Sequence, residues 1–438
     1  MAKSQKRYLV LLVFGLLVII AAGVWMVFGR KTQIYEKTEE IFGNPLMGYA
    51  PCAWEETIGE DISLLYMDIT WAELEPEEGK YAWIYDENYK KLIQGALDRG
   101  LKLCFRIYDN GQDNIRQGTP EYVRAAGAQG YEVEGQNNAK LWTPYADDPI
   151  FQQKYEKFVA AFAKEYDNPD IVDFIDGHSL GWWGEGSHIK YLNSDKKKET
   201  FDWFTTMYSK NFKNIILVLP YNSEIGFNTE KEIAIDQKGY GLRRDGLGSM
   251  WFTENDEKVA NEMYGKVLMV GECAYWGGYT AAYEPFKNDT KYSFKSWKDV
   301  YNQSFDHVNT LDLRTITETK GWTGLAPELV RKFVLNGGYR VYPTYVIMPY
   351  EASAGQTVSI SHSWRNTGYG YLPNNMKNWN YKYKPAFALF DESGKLVKSW
   401  IDEDAEPSQW LSNQRKNYTY EVSLDGISRG NYQWAVAI

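Results

Sequence analysis

Cysteine is scarce in this 438-residue chain, which contains only Cys52, Cys104 and Cys273. The number is odd and the spacing is wide, so the sequence offers neither a disulfide framework nor a CxxC metal site. Cys104 and Cys273 lie in or beside apolar runs, where a small buried thiol is the expected role. Cysteine chemistry is therefore not predicted to carry the function.

Histidine is equally rare. None of the four histidines has the spacing of an HExxH motif or of another paired metal site. The sequence therefore predicts no zinc site and calls for no cofactor. The four are His178, His188, His307 and His362.

The chain also lacks a patch of lysine and arginine interleaved with aromatic residues, and its formal net charge is −10. A nucleic-acid partner is therefore not expected. Aromatic residues, in contrast, make up 16% of the chain, with 17 Trp and 34 Tyr. Such a content fits proteins that bind sugars, and it fits β-rich extracellular domains equally well. The length exceeds the roughly 250 to 300 residues of a single core and predicts two domains with a short additional segment.

An uninterrupted apolar run extends from Tyr8 to Phe28. It reaches the roughly 20 residues that a helix needs to cross a bilayer. Residues 1–31 are therefore predicted to be an N-terminal membrane anchor, with the transmembrane helix at residues 8–28 and the globular part outside the cytoplasm. The alternative is a signal peptide cleaved near Ala21 to Gly23, which would yield a secreted protein. Residues 32–43 are polar and are interpreted as a stalk.

Short apolar segments alternate with amphipathic helical patterns over residues 44–340. The predicted strands occupy residues 44–51, 62–70, 101–109, the start of 171–188, 214–220, 240–248, 267–271 and 307–313. Eight such repeats predict a (β/α)8 TIM barrel, in which functional residues lie at the carboxyl ends of the strands. Residues 111–145 form a long polar insertion of the kind that is often functional or mobile.

After Gly337 and Gly338 the hydrophobic period changes from that of a helix to the alternation of β-strands. Residues 341–438 are therefore predicted to form a small all-β sandwich.

Two stretches of the sequence share a pattern in which an apolar run is followed by a glutamate among glycine and aromatic residues. Ile171 to His188 (IVDFIDGHSLGWWGEGSH) begins as a buried strand and continues into glycines, tryptophans and Glu185. Val267 to Gly278 (VLMVGECAYWGG) places Glu272 directly after an apolar run, and aromatic residues follow. Two carboxylates at strand ends beside flat aromatic rings indicate a site that cleaves carbohydrate. The alternative is that each glutamate forms a structural ion pair or a cap.

These motifs resemble those of the glycoside hydrolase clan A, whose (β/α)8 barrels carry catalytic carboxylates after strands four and seven. WAELEPEEGKY (Trp71 to Tyr81) is similar to a segment of β-galactosidase-like members. The likeness covers residues 44–438 and is nearest to poorly characterised bacterial barrels that end in a β-sandwich. It implies that Glu185 is the acid/base and Glu272 the nucleophile of a retaining hydrolase. Gly184 departs from the pattern, because most of the clan has Asn before the acid/base.

Further residues at predicted strand ends are candidates for binding substrate. Charged or polar candidates could form charge-assisted hydrogen bonds with hydroxyl groups, or could instead form a structural ion-pair network. Aromatic candidates could stack on sugar rings, or could belong to the core. Arg106 is also a candidate to hold the nucleophile in its ionised form. The polar set is Asp68, Arg106, Asp109, Asp176, His178, Asn222, Arg243, Arg244 and Asp245, and the aromatic set is Trp71, Trp183, Tyr275 and Trp276.

Three functions are compatible with this sequence. The first is a membrane-anchored or secreted glycoside hydrolase that acts on a polysaccharide or oligosaccharide. The second is a non-catalytic carbohydrate-binding barrel, and the third is a surface scaffold in which the sandwich binds the ligand. The distance between Glu185 and Glu272 discriminates the first function from the second, because carboxyls more than about 10 Å apart serve neither a retaining nor an inverting mechanism. The third predicts that the isolated segment from about Tyr345 onward carries any ligand affinity.

Overall fold

A computed structural model describes residues 29–41, 43–51, 63–220, 224–274, 301–303, 307–313, 319, 323–324 and 326–438. The chain divides into two compact units. One comprises residues 39–340 and 367–382, and the other comprises residues up to 38 together with 341–366 and 383–438.

The described strands, in chain order, are β1 Arg30–Ile34, β2 Gly48–Ala50, β3 Leu64–Thr70, β4 Lys102–Tyr108, β5 Gly130–Glu134, β6 Lys140–Pro144, β7 Val172–Asp176, β8 Ile216–Pro220, β9 Gly241–Leu247, β10 Met269–Cys273, β11 Thr310–Asp312, β12 Val341–Pro349, β13 Thr357–Asn366, β14 Ala386–Asp391, β15 Leu396–Ile401, β16 Arg415–Ser423 and β17 Tyr432–Ala437.

The described helices are α1 Trp71–Leu74, α2 Ala82–Tyr85, α3 Glu87–Asp98, α4 Glu121–Ala125, α5 Pro149–Tyr166, α6 Lys197–Asn211, α7 Phe227–Glu230, α8 Glu254–Met263 and α9 Pro327–Asn336. Helix α7 continues as a π-helical segment over Lys231–Asp236. Short 3-10 turns lie at Gln136–Asn138, Trp182–Gly184, Ser194–Lys196 and Pro407–Gln409.

Eight parallel strands form the sheet of the larger unit, in the order β2-β11-β10-β9-β8-β7-β4-β3. The backbone N–H of Tyr66 on β3 donates to the carbonyl of Pro51, directly after β2, at 2.8 Å. This bond joins the two ends of the sheet into a near-closed cylinder. The predicted TIM barrel is thus confirmed, with β7 as the fourth barrel strand and β10 as the seventh.

Helix α5 shows why the helical segments form and pack as they do. The Asp148 side chain caps its start by accepting hydrogen bonds from the backbone N–H groups of Ile150 and Phe151, and Pro149 occupies the first turn. Its apolar residues recur at helical spacing, so one face is buried. That face carries Phe151, Tyr155, Phe158, Val159, Phe162, Ala163 and Tyr166.

The polar insertion at residues 111–145 contains regular structure. Strands β5 and β6 pair as an antiparallel hairpin, and α4 precedes them. Asn137 and Asn138 at the connection both have φ of 58°, a left-handed conformation that asparagine tolerates better than most residues. Each strand of the hairpin is only five residues long, and the polar, glycine-rich composition of the insertion favours an interpretation as a loop.

The smaller unit is the predicted β-sandwich. Its sheets have the strand orders β1-β12-β13-β16 and β15-β14-β17, and neighbouring strands pair antiparallel. Inward-facing apolar side chains form its core. They include Val346, Met348, Val358, Ile360, Phe387, Leu389, Val422 and Leu424.

The structure differs from the sequence interpretation at the borders of this unit. Residues 32–34, interpreted as part of a stalk, lie in β1, which pairs with β12 from Arg30↔Pro349 to Ile34↔Tyr345. All five β1 side chains are exposed, so the apolar alternation that would reveal a strand is absent. Residues 367–382, interpreted as sandwich, belong to the barrel unit.

The predicted membrane anchor at residues 8–28 lies outside the described residues. Within the part of the chain that the structure describes, no helix has the length and apolar character needed to cross a bilayer.

Candidate active site

Glu185 lies in a tight loop after β7, the fourth barrel strand. A Cβ at Gly181 would lie 2.1 Å from the carbonyl oxygen of Ser187, so only glycine fits there. Gly184 has φ of +73°, and a Cβ on it would lie 3.0 Å from the Cβ of Tyr108. A left-handed backbone this close to the neighbouring strand β4 favours glycine at position 184. The Glu185 side chain remains 13% exposed.

Glu272 is the fourth residue of β10, the seventh barrel strand, and its side chain is 1% exposed. The hydroxyl of Tyr66 donates to its Oε2 at 3.2 Å. The guanidinium of Arg243 forms an ion pair with the same oxygen, and Nη1 of Arg106 lies 3.4 Å from it. Donors from three barrel strands therefore fix this carboxylate in place.

The barrel brings Glu185 and Glu272 together. One carboxylate oxygen from each, with one from Asp245, lies within 4.8 Å of the others. A retaining glycosidase needs carboxyl groups about 5 to 5.5 Å apart. The nearest oxygens of Glu185 and Glu272 are therefore far closer than the limit of about 10 Å above which neither mechanism operates.

Arg106 on β4 connects the acidic residues of the site. Its Nε lies 2.8 Å from Asp176 Oδ2, and its Nη2 lies 2.8 Å from Asp245 Oδ2. Its Nη1 lies 3.3 Å from Glu185 Oε1 and contacts Glu272 as well. This single guanidinium, 2% exposed at its side chain, thus touches both candidate catalytic carboxylates.

Arg243 on β9 forms a second junction, more deeply buried. Its Nε lies 3.1 Å from Asp245 Oδ1 and 3.3 Å from Asp176 Oδ2. Its Nη1 forms an ion pair with Asp312, at the end of the eighth barrel strand β11, while Nη2 contacts Glu272. Asp176, Asp245 and Glu272 therefore bridge the two arginines. The sequence analysis did not single out Asp312 or Tyr66, although both lie on predicted strands.

The cluster holds more acidic than basic groups. Five carboxylates surround two guanidinium groups, so part of the negative charge is unmatched unless protons are retained. Burial raises the pKa of Asp312 to about 7, although Arg243 opposes the shift. Burial also raises the pKa of Asp176, against the opposing charges of Arg243 and Arg106. The site can therefore retain a proton near neutral pH.

The oxygens of Glu185, Asp245 and Glu272 are also spaced as the ligands of a metal ion would be. Arg106 forms ion pairs with all three carboxylates and supplies positive charge at this position. The expectation from the sequence that the site needs no metal ion stays a prediction.

Two further predicted residues lie near the rim. Asp68 on β3 is half-buried, and its backbone is in register with Arg106 on the neighbouring strand. Asp109 directly follows β4 and is buried, and this burial raises its pKa to about 7.

Trp71 and His178 occupy the core. Trp71 is fully buried, packs edge-on against Tyr155 at 4.9 Å, and donates from Nε1 to Glu75 at 2.8 Å. Its interpretation as a sugar platform is therefore wrong, and the core alternative is correct. His178 is buried against Phe204 and its neighbour Phe201, with ring centroids 5.4 to 5.5 Å apart, and burial lowers its pKa to about 4.

The remaining predicted residues divide into two groups. Trp183 is half-buried beside Glu185 with φ of 53°, a strained conformation at the candidate site. Three other candidates, Asn222, Tyr275 and Trp276, lie outside the described residues.

Trp251 is an exposed aromatic residue that the sequence analysis missed. It follows β9 and is 43% exposed. Arg244 ties its backbone to the site, because Nη2 donates to the Trp251 carbonyl at 2.5 Å while Nη1 donates to the Asp245 carbonyl at 2.9 Å. The side chain of Arg244 is in turn held by Asp256 at 2.9 Å. Its position after β9, the sixth barrel strand, could have identified Trp251 as a candidate from the sequence.

No protein family model matches the chain, and no curated protein matches it. The chain is similar to solved structures at low identity. One is a GH30 endoxylanase from Clostridium papyrosolvens C71, with 11% identity over 90% of this chain and 97% of that chain and a TM-score of 0.40. Another is an endo-glycoceramidase II from Rhodococcus sp., with 12% identity over 89% of this chain and 99% of that chain and a TM-score of 0.42. A third is an endogalactoceramidase, with 11% identity over 83% of this chain and 91% of that chain and a TM-score of 0.38.

Proposed function

We propose that the protein is a retaining glycoside hydrolase that acts on a polysaccharide or oligosaccharide. The observation that carries the proposal is the approach of Glu185 and Glu272 to within 4.8 Å at the carboxyl ends of the fourth and seventh barrel strands. Two carboxyls at that separation can act on one glycosidic bond from opposite sides.

Their environments favour different roles. Glu272 is buried against two guanidinium groups and the Tyr66 hydroxyl, which stabilise a negative carboxylate and aim it. It is the nucleophile and attacks the anomeric carbon. Glu185 is more exposed and can exchange protons with solvent. It donates a proton to the leaving oxygen, then removes one from the water that hydrolyses the glycosyl-enzyme bond.

We further propose that residues 8–28 anchor the enzyme in the cell membrane as a single span with the globular part extracytoplasmic. The apolar run and the preceding Lys3, Lys6 and Arg7 support this orientation. The alternative, secretion after cleavage, would leave the same hydrolase unanchored. Either location gives access to carbohydrate outside the cell.

The proposal is tested by incubating the chain from residue 29 onward with a panel of glycans and detecting released reducing ends. The start at residue 29 keeps β1, which is part of the sandwich. Product from at least one glycan, absent with Glu272→Gln, is expected. Binding of a glycan by the wild type without any turnover would contradict the proposal.

One observation favours a second function, a non-catalytic carbohydrate-binding barrel. Arg106 lies 3.3 Å from Glu185, and a nearby cation favours the ionised form of a carboxyl that must donate a proton. The same glycan panel separates the two functions, because the binding protein would retain glycan unchanged.

A further inference from the structure

The sandwich begins almost immediately after the apolar run. The run ends at Phe28, and the carbonyl of Gly29 already accepts a hydrogen bond from the backbone N–H of Tyr350 at 2.9 Å. Arg30 is then the first residue of β1 and is in register with Pro349. Since a residue spans at most about 3.6 Å, β1 begins within about 7 Å of the end of the run.

Two loops lie at the same end of the sandwich as Gly29. Residues 350–356 connect β12 to β13, and residues 424–431 connect β16 to β17. The two loops lie side by side, because the N–H of Leu424 donates to the carbonyl of Gln356 at 2.9 Å. A Cβ on Gly355 would lie 3.1 Å from Asp425 Oδ1. We call these two loops, with Gly29, the entry end of the sandwich.

The surface chemistry of the entry end suits a lipid headgroup layer. Tyr350 beside Gly29 is 72% exposed, and tyrosine is enriched where proteins meet the bilayer interface. Arg30 and Lys31 are exposed on the edge strand and can pair with lipid phosphates. Residues 351–356 are exposed as well.

We propose that the entry end lies against the surface of the bilayer that residues 8–28 cross, with phospholipid headgroups as its partner. The inference rests on the membrane anchor given under the proposed function. No spacer precedes β1, so the polar residues 32–43 do not hold the sandwich away from the membrane. The first strand of the sandwich therefore orients this unit on the membrane.

The experiment compares two single labelling sites at opposite ends of the sandwich. Ala354 is exposed at the entry end, and Gln414 is exposed before β16 at the other end, where Arg365 is in register with Arg415. The ten residues of β13 separate the ends by about 30 Å. Ala354→Cys and Gln414→Cys are each made in the full chain with Cys52→Ser and labelled with a fluorophore. Buried Cys104 and Cys273 do not compete for the label.

The labelled chains are reconstituted into phosphatidylcholine vesicles that contain headgroup-nitroxide lipid. Several-fold stronger quenching at position 354 than at 414 is expected. Equal, weak quenching at both positions in a chain that floats with the vesicles overturns the inference and leaves the anchor intact. A chain that does not float overturns both. Glycan cleavage by the same chain in detergent reports on the hydrolase independently.

Discussion

A carboxylate oxygen of Glu185 lies within 4.8 Å of a carboxylate oxygen of Glu272, although 87 positions separate the two residues in the sequence. The barrel creates this relationship, since the carboxyl ends of parallel strands meet at one rim. Arg106 contacts both groups. The pair has the separation and the support that a two-carboxylate mechanism needs.

Replacing Glu272 with Gln removes the nucleophile and preserves the side-chain volume. Turnover should fall by roughly 10⁴-fold or more, because the amide cannot act as the nucleophile at the anomeric carbon. Initial rates on the active glycan measure the loss. The matched control is Glu262→Gln on the exposed side of α8, which should be silent. Unchanged turnover by Glu272→Gln removes the residue from the mechanism.

Replacing Glu185 with Gln removes the proton donor. Cleavage of natural glycosides should fall by roughly 10² to 10⁴-fold, the usual contribution of general acid catalysis. An aryl glycoside with an acidic leaving group needs no proton, so formation of its glycosyl-enzyme should be much less affected. Burst kinetics on the two substrates measure this difference. An equal loss on both assigns Glu185 a structural role.

Replacing Arg243 with Met leaves the buried carboxylates with one guanidinium. Removal of one partner from a buried ion pair costs roughly 3 to 5 kcal/mol, so the melting temperature should fall sharply. The matched control is Arg244→Met. The side chain of Arg244 is 19% exposed, so this replacement should lower the melting temperature less. Melting followed by circular dichroism compares the two variants. A smaller loss for Arg243→Met contradicts the role of Arg243 as a junction.

Replacing Asp109 with Asn should stabilise the protein at pH 8 more than at pH 5. Burial raises the pKa of Asp109 to about 7 in the folded protein. The folded state therefore binds a proton that the unfolded state releases above pH ~4, and its stability falls as pH rises from about 4 to 7. The asparagine side chain does not titrate, so Asp109→Asn removes this loss. The lost free energy of unfolding amounts to at most about 4 kcal/mol.

Melting temperatures of the wild type and Asp109→Asn at the two pH values check this. The exposed Asp170→Asn serves as the control and should show no such difference. A stabilisation by Asp109→Asn that is the same at pH 5 and pH 8 would contradict the titration.

Replacing Trp251 with Ala should weaken substrate binding if this exposed ring stacks on a sugar unit. An increase in KM of roughly 3- to 10-fold with little change in kcat is expected, from the size of aromatic contacts. Trp251→Phe keeps a flat face and should recover most of the affinity. A change in kcat alone would place Trp251 outside the binding surface.

The sequence predicted the barrel well because its signals are local. Each barrel strand is a short apolar run bounded by turn residues, so the order of strands and the rim position of Glu185 and Glu272 followed directly. Trp71 was misjudged because an aromatic residue after a strand has the same local pattern whether it faces the rim or the core.

Long-range pairing could not be predicted. Arg106 and Asp245 form an ion pair across 139 positions, and nothing local to either residue indicates the other. Asp312 lay on a predicted strand but had no motif of its own. Strand β1 was missed because its exposed edge position removes the alternation on which strand prediction depends.

The most direct test of the two-carboxylate account is proton NMR of the first product that the wild type releases from its active glycan. The anomeric proton, observed before mutarotation, reports the configuration of the newly formed hemiacetal. A pair at the separation of Glu185 and Glu272 predicts the same configuration as in the substrate. A product of inverted configuration would contradict a nucleophilic Glu272 and the account built on it.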